Sequence, residues 1–214
     1  GLIKERSSQT WDDGDITSAV FDFDNDGRLD IYVGSTDYPG TRGWLYHQKE
    51  DGTFERVPFD VGIDHESSHG IAIADFDNDG DLDLVAGHSR NRCSSGDHCY
   101  ERAHARYFEN LVGNQNHWLQ LDLEGAAGTN RAAIGARVEV RAGDLLQVHE
   151  IDGGHGHYGI QHDLRAHFGL GDACEAEVTI YWPDADRTSQ TFTVSADTRY
   201  RVIQGEEPRP FSQE

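Results

Sequence analysis

The chain has 214 residues, of which 36% are hydrophobic, enough for one large β domain or two smaller ones, each with its own core. Eighteen Lys and Arg residues stand against 39 Asp and Glu residues, which gives a formal net charge of −21. Such an acidic surface repels phosphate backbones and anionic headgroups, so we exclude nucleic acid as a partner, and the lack of a long apolar run predicts no membrane insertion. Because the chain contains no methionine, we expect a processed chain or a fragment.

The first feature along the chain is a repeated Asp-rich loop. Residues 22–30 read Asp-Phe-Asp-Asn-Asp-Gly-Arg-Leu-Asp, and residues 75–83, offset by 53, read Asp-Phe-Asp-Asn-Asp-Gly-Asp-Leu-Asp. We call them the first and second Asp loops. A β-prone segment precedes each loop (residues 16–23 and 71–76), and an alternating apolar segment overlaps its end (residues 29–33 and 82–85). The pattern predicts an internal repeat built of strand, tight loop and strand.

A third strand is predicted in each repeat. Residues 43–46 and 106–110 correspond, but with an offset of 62 rather than 53, so the second repeat carries an insertion that falls at residues 93–104. We predict a surface loop there. The Asp-Gly step at residues 51–52 predicts a hairpin turn within the first repeat.

The insertion contains two of the three cysteines, Cys93 and Cys99. The segment between them is short enough to close with one disulfide, which would favour an oxidising compartment. Two alternatives remain open, namely free thiols or a metal cluster with histidines 88, 98 and 104. The third cysteine, Cys174, is left unpaired and is expected to be a small buried residue.

The two Asp loops carry the oxygen ligands that calcium prefers. Calcium takes six to eight oxygens, with carboxylates at positions one, three and five of such a loop and a Gly at position six for the turn. The predicted ligands of the first Asp loop are Asp22, Asp24, Asp26, Arg28 through its carbonyl, and Asp30. Those of the second are Asp75, Asp77, Asp79, Asp81 through its carbonyl, and Asp83. We therefore predict two Ca²⁺ ions, one in each loop.

Two other interpretations of the Asp loops are an EF-hand and a metal-free turn. An EF-hand is excluded because position twelve holds Val33 in one loop and Ala86 in the other instead of Glu. The remaining alternative is a pair of acidic turns without metal, in which four uncompensated aspartates per loop would repel one another.

The pattern of residue types changes near residues 113–116, where the repeat stops. The remainder alternates apolar and polar residues at 118–123, 136–140, 148–151, 177–182 and 191–194, with Gly- and Asp-rich turns between. We predict a repeat region at residues 1–113, a small β-sandwich at 114–205 and a flexible tail at 206–214, in an all-β chain.

A histidine-rich segment at residues 149–167 offers a second candidate site. Histidines spaced by two on a strand point to the same side, as a transition-metal site requires. The alternative function is therefore a metalloenzyme or accessory domain with a His-lined site in the C-terminal domain, acting on carbohydrate or peptide. No phosphate-binding Gly loop and no recognisable nucleophile motif is present, so we assign no catalytic residue and no organic cofactor.

The repeated Asp-Phe-Asp-Asn-Asp-Gly-x-Leu-Asp, followed by an apolar strand and by Asp51-Gly-Thr-Phe, resembles FG-GAP or VCBS repeats over residues 10–113. The segments Asn-His-Trp-Leu at 116–119, Asn-Arg-Ala-Ala-Ile-Gly at 130–135 and His-Phe-Gly-Leu-Gly at 167–171 resemble an ASPIC/UnbV domain. The cartilage acidic protein family and its bacterial relatives carry both domains in this order.

This resemblance implies an incomplete β-propeller-type region of two repeats followed by a small sandwich. Two repeats cannot close a seven-bladed propeller, and Ala185 stands where Gly usually follows Trp-Pro-Asp. The resemblance also implies a secreted or extracellular protein, periplasmic or at the cell surface in bacteria. Such a protein is a non-enzymatic, calcium-binding adhesion module that presents loops to an unknown extracellular protein or polysaccharide.

Overall fold

The computed structural model describes residues 14–93, 100–154, 156–157 and 160–211. Over these ranges the structure consists of fifteen strands and two short 3₁₀ helices, Phe59–Val61 and Gly113–Gln115. The all-β prediction is therefore confirmed. No helix in the described ranges is long and apolar enough to cross a membrane.

The repeat region forms two antiparallel sheets whose strands follow one another in chain order. The first contains β1 (Asp15–Phe21), β2 (Asp30–Ser35), β3 (Trp44–Gln48) and β4 (Phe54–Arg56). The second contains β5 (Ser68–Ala74), β6 (Asp83–His88) and β7 (Ala105–Phe108). Each Asp loop joins the first two strands of its sheet, as the strand, loop, strand pattern predicts, and the predicted third strands are present as β3 and β7.

The two sheets share one hydrophobic core because their alternating apolar residues face each other. β1 and β2 pack against β5. The buried members of this core are Ala19, Phe21, Tyr32, Leu45, Ile71, Ile73, Leu84 and Ala86. The strands of each sheet follow an up-and-down order, and over the described residues the two sheets do not close into a barrel.

The C-terminal part is a sandwich of two four-stranded sheets, as predicted. One sheet has the order β10 (Leu145–Glu150), β9 (Arg137–Ala142), β12 (Glu175–Tyr181) and β13 (Ser189–Ser195). The other has the order β11 (Ala166–Gly171), β8 (His117–Glu124), β14 (Thr198–Ile203) and β15 (Arg209–Pro210). Neighbouring strands are antiparallel except β8 and β14, which are parallel. Inward side chains such as Leu119, Val140, Phe168 and Ile180 fill the space between the sheets.

Three strands of this sandwich were not predicted. β11 carries two glycines, which weaken its strand signal, although Phe168 and Leu170 are buried on it. β14 alternates half-buried Arg199 and exposed Arg201 with buried Tyr200 and Val202, a period-two signal that could have identified it. β15 lies within the segment expected to be a flexible tail, and it pairs with β14.

Candidate metal sites

The two Asp loops have the same backbone conformation. The residues at positions four and six are left-handed in both, with φ of 58° at Asn25 and 85° at Gly27, and of 62° at Asn78 and 97° at Gly80. Asn and Gly are the residues that adopt this conformation most readily. The Asn and Gly residues of the sequence therefore allow both loops to adopt the same tight turn.

The aspartate at position one anchors each loop from within. Asp22 accepts hydrogen bonds from the amides at positions five and six over 3.1 and 2.8 Å. Asp75 accepts the corresponding two bonds over 3.2 Å each. Both aspartates are buried. Each loop is thus closed around its first carboxylate.

The aspartate at position nine ties each loop to its sheet. Asp30 and Asp83 each accept a bond of 3.0 Å from the amide at position two of their own loop. Each also accepts a bond of 2.8 Å from an amide at or just beyond the end of the third strand, that of Gln48 in the first repeat and that of Asn110 in the second. Gln48 and Asn110 are 62 residues apart and make the same hydrogen bond. The offset of 62 that the sequence predicts for the third strands therefore also describes their hydrogen bonds to the loops.

The predicted ligand carboxylates converge in part. Oxygens of positions one, three and nine lie within 4.8 Å of one another in both loops, namely those of Asp22, Asp24 and Asp30 and those of Asp75, Asp77 and Asp83. In the first Asp loop, position five belongs to a second such group, formed by Asp24, Asp26 and His47. In the second, Asp79 at position five accepts bonds from the amide of Asp81 over 3.2 Å and from Asn114 Nδ2 over 3.0 Å.

Burial makes these carboxylates unfavourable as bare anions. It raises the pKa of Asp22 to about 8, with the charges of neighbouring aspartates adding to the effect. Burial likewise raises the pKa of Asp30 to about 7 and that of Asp81 to about 8. Three buried oxygens, Asp24 Oδ1, Asp26 Oδ2 and Asp81 Oδ1, accept no hydrogen bond within the described ranges, although Asp26 Oδ2 forms an ion pair with Arg28. An arrangement of this kind favours a bound cation, because a cation would compensate both the charge and the missing bonds.

The loops differ most at position seven. Arg28 of the first Asp loop forms an ion pair with Asp26 and donates from Nε to the carbonyl of Gln48 over 3.0 Å. Its counterpart Asp81 has a fully buried side chain, and its Oδ2 accepts a bond of 3.3 Å from the amide of Asn114. Position seven therefore carries a positively charged guanidinium in the first Asp loop and a carboxyl group in the second.

His47 is a residue of the first site that the sequence did not indicate. Its Nε2 lies 3.1 Å from Asp24 Oδ2 and 3.5 Å from Asp26 Oδ2. His47 lies on β3, seventeen residues beyond the loop, and no spacing rule connects a single strand histidine with an Asp loop. Only the pairing of β2 with β3 brings it there.

The C-terminal sandwich packs directly on both Asp loops at their glycines. A Cβ atom on Gly27 would lie 2.6 Å from Leu145, and one on Gly80 would lie 2.1 Å from the ring of Trp118. On the sandwich side of the contact, a Cβ atom on Gly169 of β11 would lie 2.1 Å from Asp22 Oδ2 of the first Asp loop. A side chain at any of these positions would require a neighbour to shift, so the loop glycines permit the close approach as well as the turn.

A chain of hydrogen bonds connects the two loops through the sandwich. Asn25 Nδ2 donates to the carbonyls of Gly80 and Gly113 over 3.0 and 2.9 Å, and Asn25 Oδ1 accepts from His167 Nε2 over 2.6 Å. Gln120 Nε2 lies 3.3 Å from His167 Nδ1 and donates to Asp75 Oδ2 over 2.7 Å. The first carboxylate of the second Asp loop is thus linked to the tip of the first.

The histidines of segment 149–167 do not assemble into a metal site among the described residues. The His149 ring contacts Phe168, His162 Nδ1 accepts a bond of 3.2 Å from the amide of Ile73, and His167 bonds to Asn25. His155 lies outside the described residues. No three described histidines here bring ligand atoms within 4.8 Å of one another. The geometry therefore gives no support to a His-lined transition-metal site.

The cysteines favour the disulfide over the metal cluster. Cys93 is disulfide-bonded, so its sulfur is not available as a thiolate ligand. Cys99 lies outside the described residues. Cys174 is a free thiol and is exposed, which corrects the expectation of a small buried residue.

Comparison with known proteins identifies both parts of the chain. The model of the FG-GAP-like repeat matches residues 12–86, and the ASPIC and UnbV model matches residues 126–209. Cartilage acidic protein 1 of Xenopus tropicalis is 30% identical over 177 residues, which are 78% of this chain and 25% of that protein. The Homo sapiens protein is also 30% identical, over 81% of this chain and 26% of its own length. The chain thus spans about a quarter of the length of these curated relatives.

Proposed function

The chain carries an FG-GAP-like repeat region followed by an ASPIC and UnbV domain, and from this we propose that it is an extracellular interaction module that binds two calcium ions, one in each Asp loop. The calcium ions hold the loops in shape and hold them against the C-terminal sandwich. Surfaces fixed in this way are presented to a protein or polysaccharide partner. The curated relatives are named for cartilage, an extracellular tissue, which supports this setting.

The observation that carries the calcium proposal is the duplicated carboxylate geometry. Two loops 53 residues apart have the same left-handed positions and the same anchoring bonds, and both gather the carboxylates of positions one, three and nine within 4.8 Å. Oxygen donors of this kind select hard cations, and flexible seven-fold coordination suits calcium better than the small octahedral shell of magnesium. Each loop draws these carboxylates from nine residues, so each ion has its own site.

Calorimetric titration with calcium, after removal of bound metal by a chelator, tests the proposal. We expect two bound ions per chain and a melting temperature that rises with calcium, since a ligand bound only by the folded state stabilises it. Asp24→Ala and Asp77→Ala should each remove one ion and leave the other. Asp51→Ala is the matched control, because Asp51 lies on an exposed hairpin turn outside both loops.

Three results would contradict the proposal. Identical melting temperatures with calcium and with chelator would show that occupancy does not matter to the fold. Loss of both ions in either variant, with the fold intact, would show one coupled cluster. An unchanged stoichiometry in both variants would place the calcium elsewhere.

A further inference from the structure

β10 is an edge strand with half of its backbone groups directed outward. Among the described strands it pairs only with β9, through a two-residue turn in which Ala142 lies opposite Leu145. The closing pair of such a hairpin is hydrogen-bonded, and bonded pairs then alternate along the ladder. Leu145, Gln147 and His149 therefore bond to β9, and the amides and carbonyls of Leu146, Val148 and Glu150 point away from it.

The side chains of this edge are apolar where the other edge of the same sheet is polar. Leu146 is 52% exposed and Val148 is 48% exposed. On β13, the opposite edge, the exposed positions are occupied by Ser189, Thr191, Thr193 and Ser195. Proteins usually protect free strand edges with charge, Pro or a cover, whereas β10 carries no Lys and no Pro, and its one carboxylate, Glu150, lies at its last position. An exposed apolar edge of this kind is suited to pairing with another strand.

The edge opens onto a cleft between the sandwich and the first repeat. The cleft has a volume of about 690 Å³, and its wall on the repeat side includes Val20 and Leu29, which are 55% and 51% exposed. Together with Leu146 and Val148, four exposed apolar side chains line one space. Ligand sites are commonly clefts between domains with this apolar character.

The acidic residues that line the cleft favour a positively charged occupant. Glu150, Asp152 and Asp163 belong to its lining, and the guanidinium of Arg28 is already paired with Asp26. Glu150 lies on the same face of β10 as Leu146 and Val148, since side chains alternate along a strand. A cationic side chain on a paired strand would therefore meet Glu150 while apolar side chains meet the other two.

We propose that the outer edge of β10 binds an extended basic segment of a partner protein by strand addition. This proposal rests on the proposed role as an interaction module, and it names the chemistry of the partner. The partner backbone bonds to the outward groups of Leu146, Val148 and Glu150. Its apolar residues cover Leu146 and Val148, and its Lys or Arg pairs with Glu150. Main-chain bonds supply affinity in this mode of recognition, and alternate side chains supply specificity.

A capped peptide of sequence Thr-Lys-Thr-Val-Thr-Val-Thr matches this surface in antiparallel register and serves as the probe. Titrated into the calcium-loaded, ¹⁵N-labelled chain, it should cause saturable shifts in the amide resonances of Leu146, Val148 and Glu150. A second peptide with Glu in place of Lys should bind at least about tenfold more weakly, because like charges then face each other. Absence of saturable shifts at β10 would overturn the proposal.

Two variants test the pairing itself. Val148→Pro removes an outward amide without removing a bond of the β9 ladder, and Val148→Lys places a charge on the edge. Both should weaken the peptide at least about tenfold, whereas Thr193→Lys on β13 should leave its affinity unchanged. Peptide binding by both variants at wild-type strength would overturn the proposal. Calcium titration of Val148→Lys should still give two ions, so a failure of the calcium proposal is recorded separately from a failure of strand addition.

Discussion

His167 Nε2 donates a hydrogen bond to Asn25 Oδ1 over 2.6 Å, across 142 residues of chain. The roles of both side chains are fixed by their neighbours, because Asn25 Nδ2 donates to Gly80 and Gly113 and leaves only its oxygen for His167. His167 is therefore a neutral imidazole with the proton on Nε2 and a lone pair on Nδ1 facing Gln120. This bond joins the sandwich to the tip of the first Asp loop.

His167→Ala should destabilise the protein by about 1–3 kcal/mol, because it leaves the buried Asn25 oxygen without a donor. Urea unfolding in the presence of calcium measures this. His117→Ala is the matched control, since His117 Nδ1 contacts Asp197 Oδ2 over 2.7 Å at a partly exposed position, and loss of this contact should cost less than about 1 kcal/mol. Equal losses of stability in the two variants would contradict the role assigned to His167.

Stability should fall on acidification through the protonation of His167. Burial lowers its pKa from 6.5 to about 3, so between these values the unfolded chain binds more protons than the folded protein. The contribution of His167 is therefore complete above pH 6.5 and is lost as the pH falls towards 3. The difference in unfolding free energy between the wild type and His167→Gln should shrink over this range. A difference independent of pH would contradict the prediction.

The second Asp loop should bind calcium more tightly than the first. Arg28 places a cation beside Asp26 where the second Asp loop has the buried Asp81, and a like charge disfavours a bound cation. Arg28→Asp should therefore raise the calcium affinity of the first Asp loop by at least about tenfold. Lys49→Asp changes the net charge equally but lies at an exposed position outside both loops, so it should have little effect. Calorimetry that finds the same gain for both variants would assign the effect to net charge alone.

Calcium binding should release protons near neutral pH. The pKa values of Asp22 and Asp81, each raised to about 8, leave both carboxyls largely protonated at pH 7 in the metal-free protein. The folded metal-free protein then binds more protons than the unfolded chain between about pH 4 and 8, so its stability falls as the pH rises through this window. A calcium ion in the first Asp loop displaces the proton of its carboxylate ligand Asp22, and its affinity rises with pH accordingly. The binding enthalpy at pH 7 should depend on the ionisation enthalpy of the buffer, and equal enthalpies in PIPES and Tris would exclude proton release.

The sequence predicted the parts of the structure that local chemistry decides. The predicted ligand carboxylates of each Asp loop, with the Asn and Gly that bend it, lie within nine residues, so their spacing alone indicates that they lie near one another. Most strands were predicted for the same reason, because alternation of apolar and polar residues is a local signal. β11 was not predicted because its glycines weaken that signal, while its buried position depends on pairing with β8.

What no local signal could supply is the set of contacts made by residues far apart in the chain. His47 reaches the first Asp loop because β2 pairs with β3, and His167 and Gln120 reach the loops because the sandwich packs on the glycines. The sequence therefore determined by itself that each Asp loop turns and gathers carboxylates, since both depend on neighbours within one turn of backbone. Only the tertiary structure decided which groups from distant segments satisfy those carboxylates, because hydrogen bonds between such groups form only after the cores of both parts have packed.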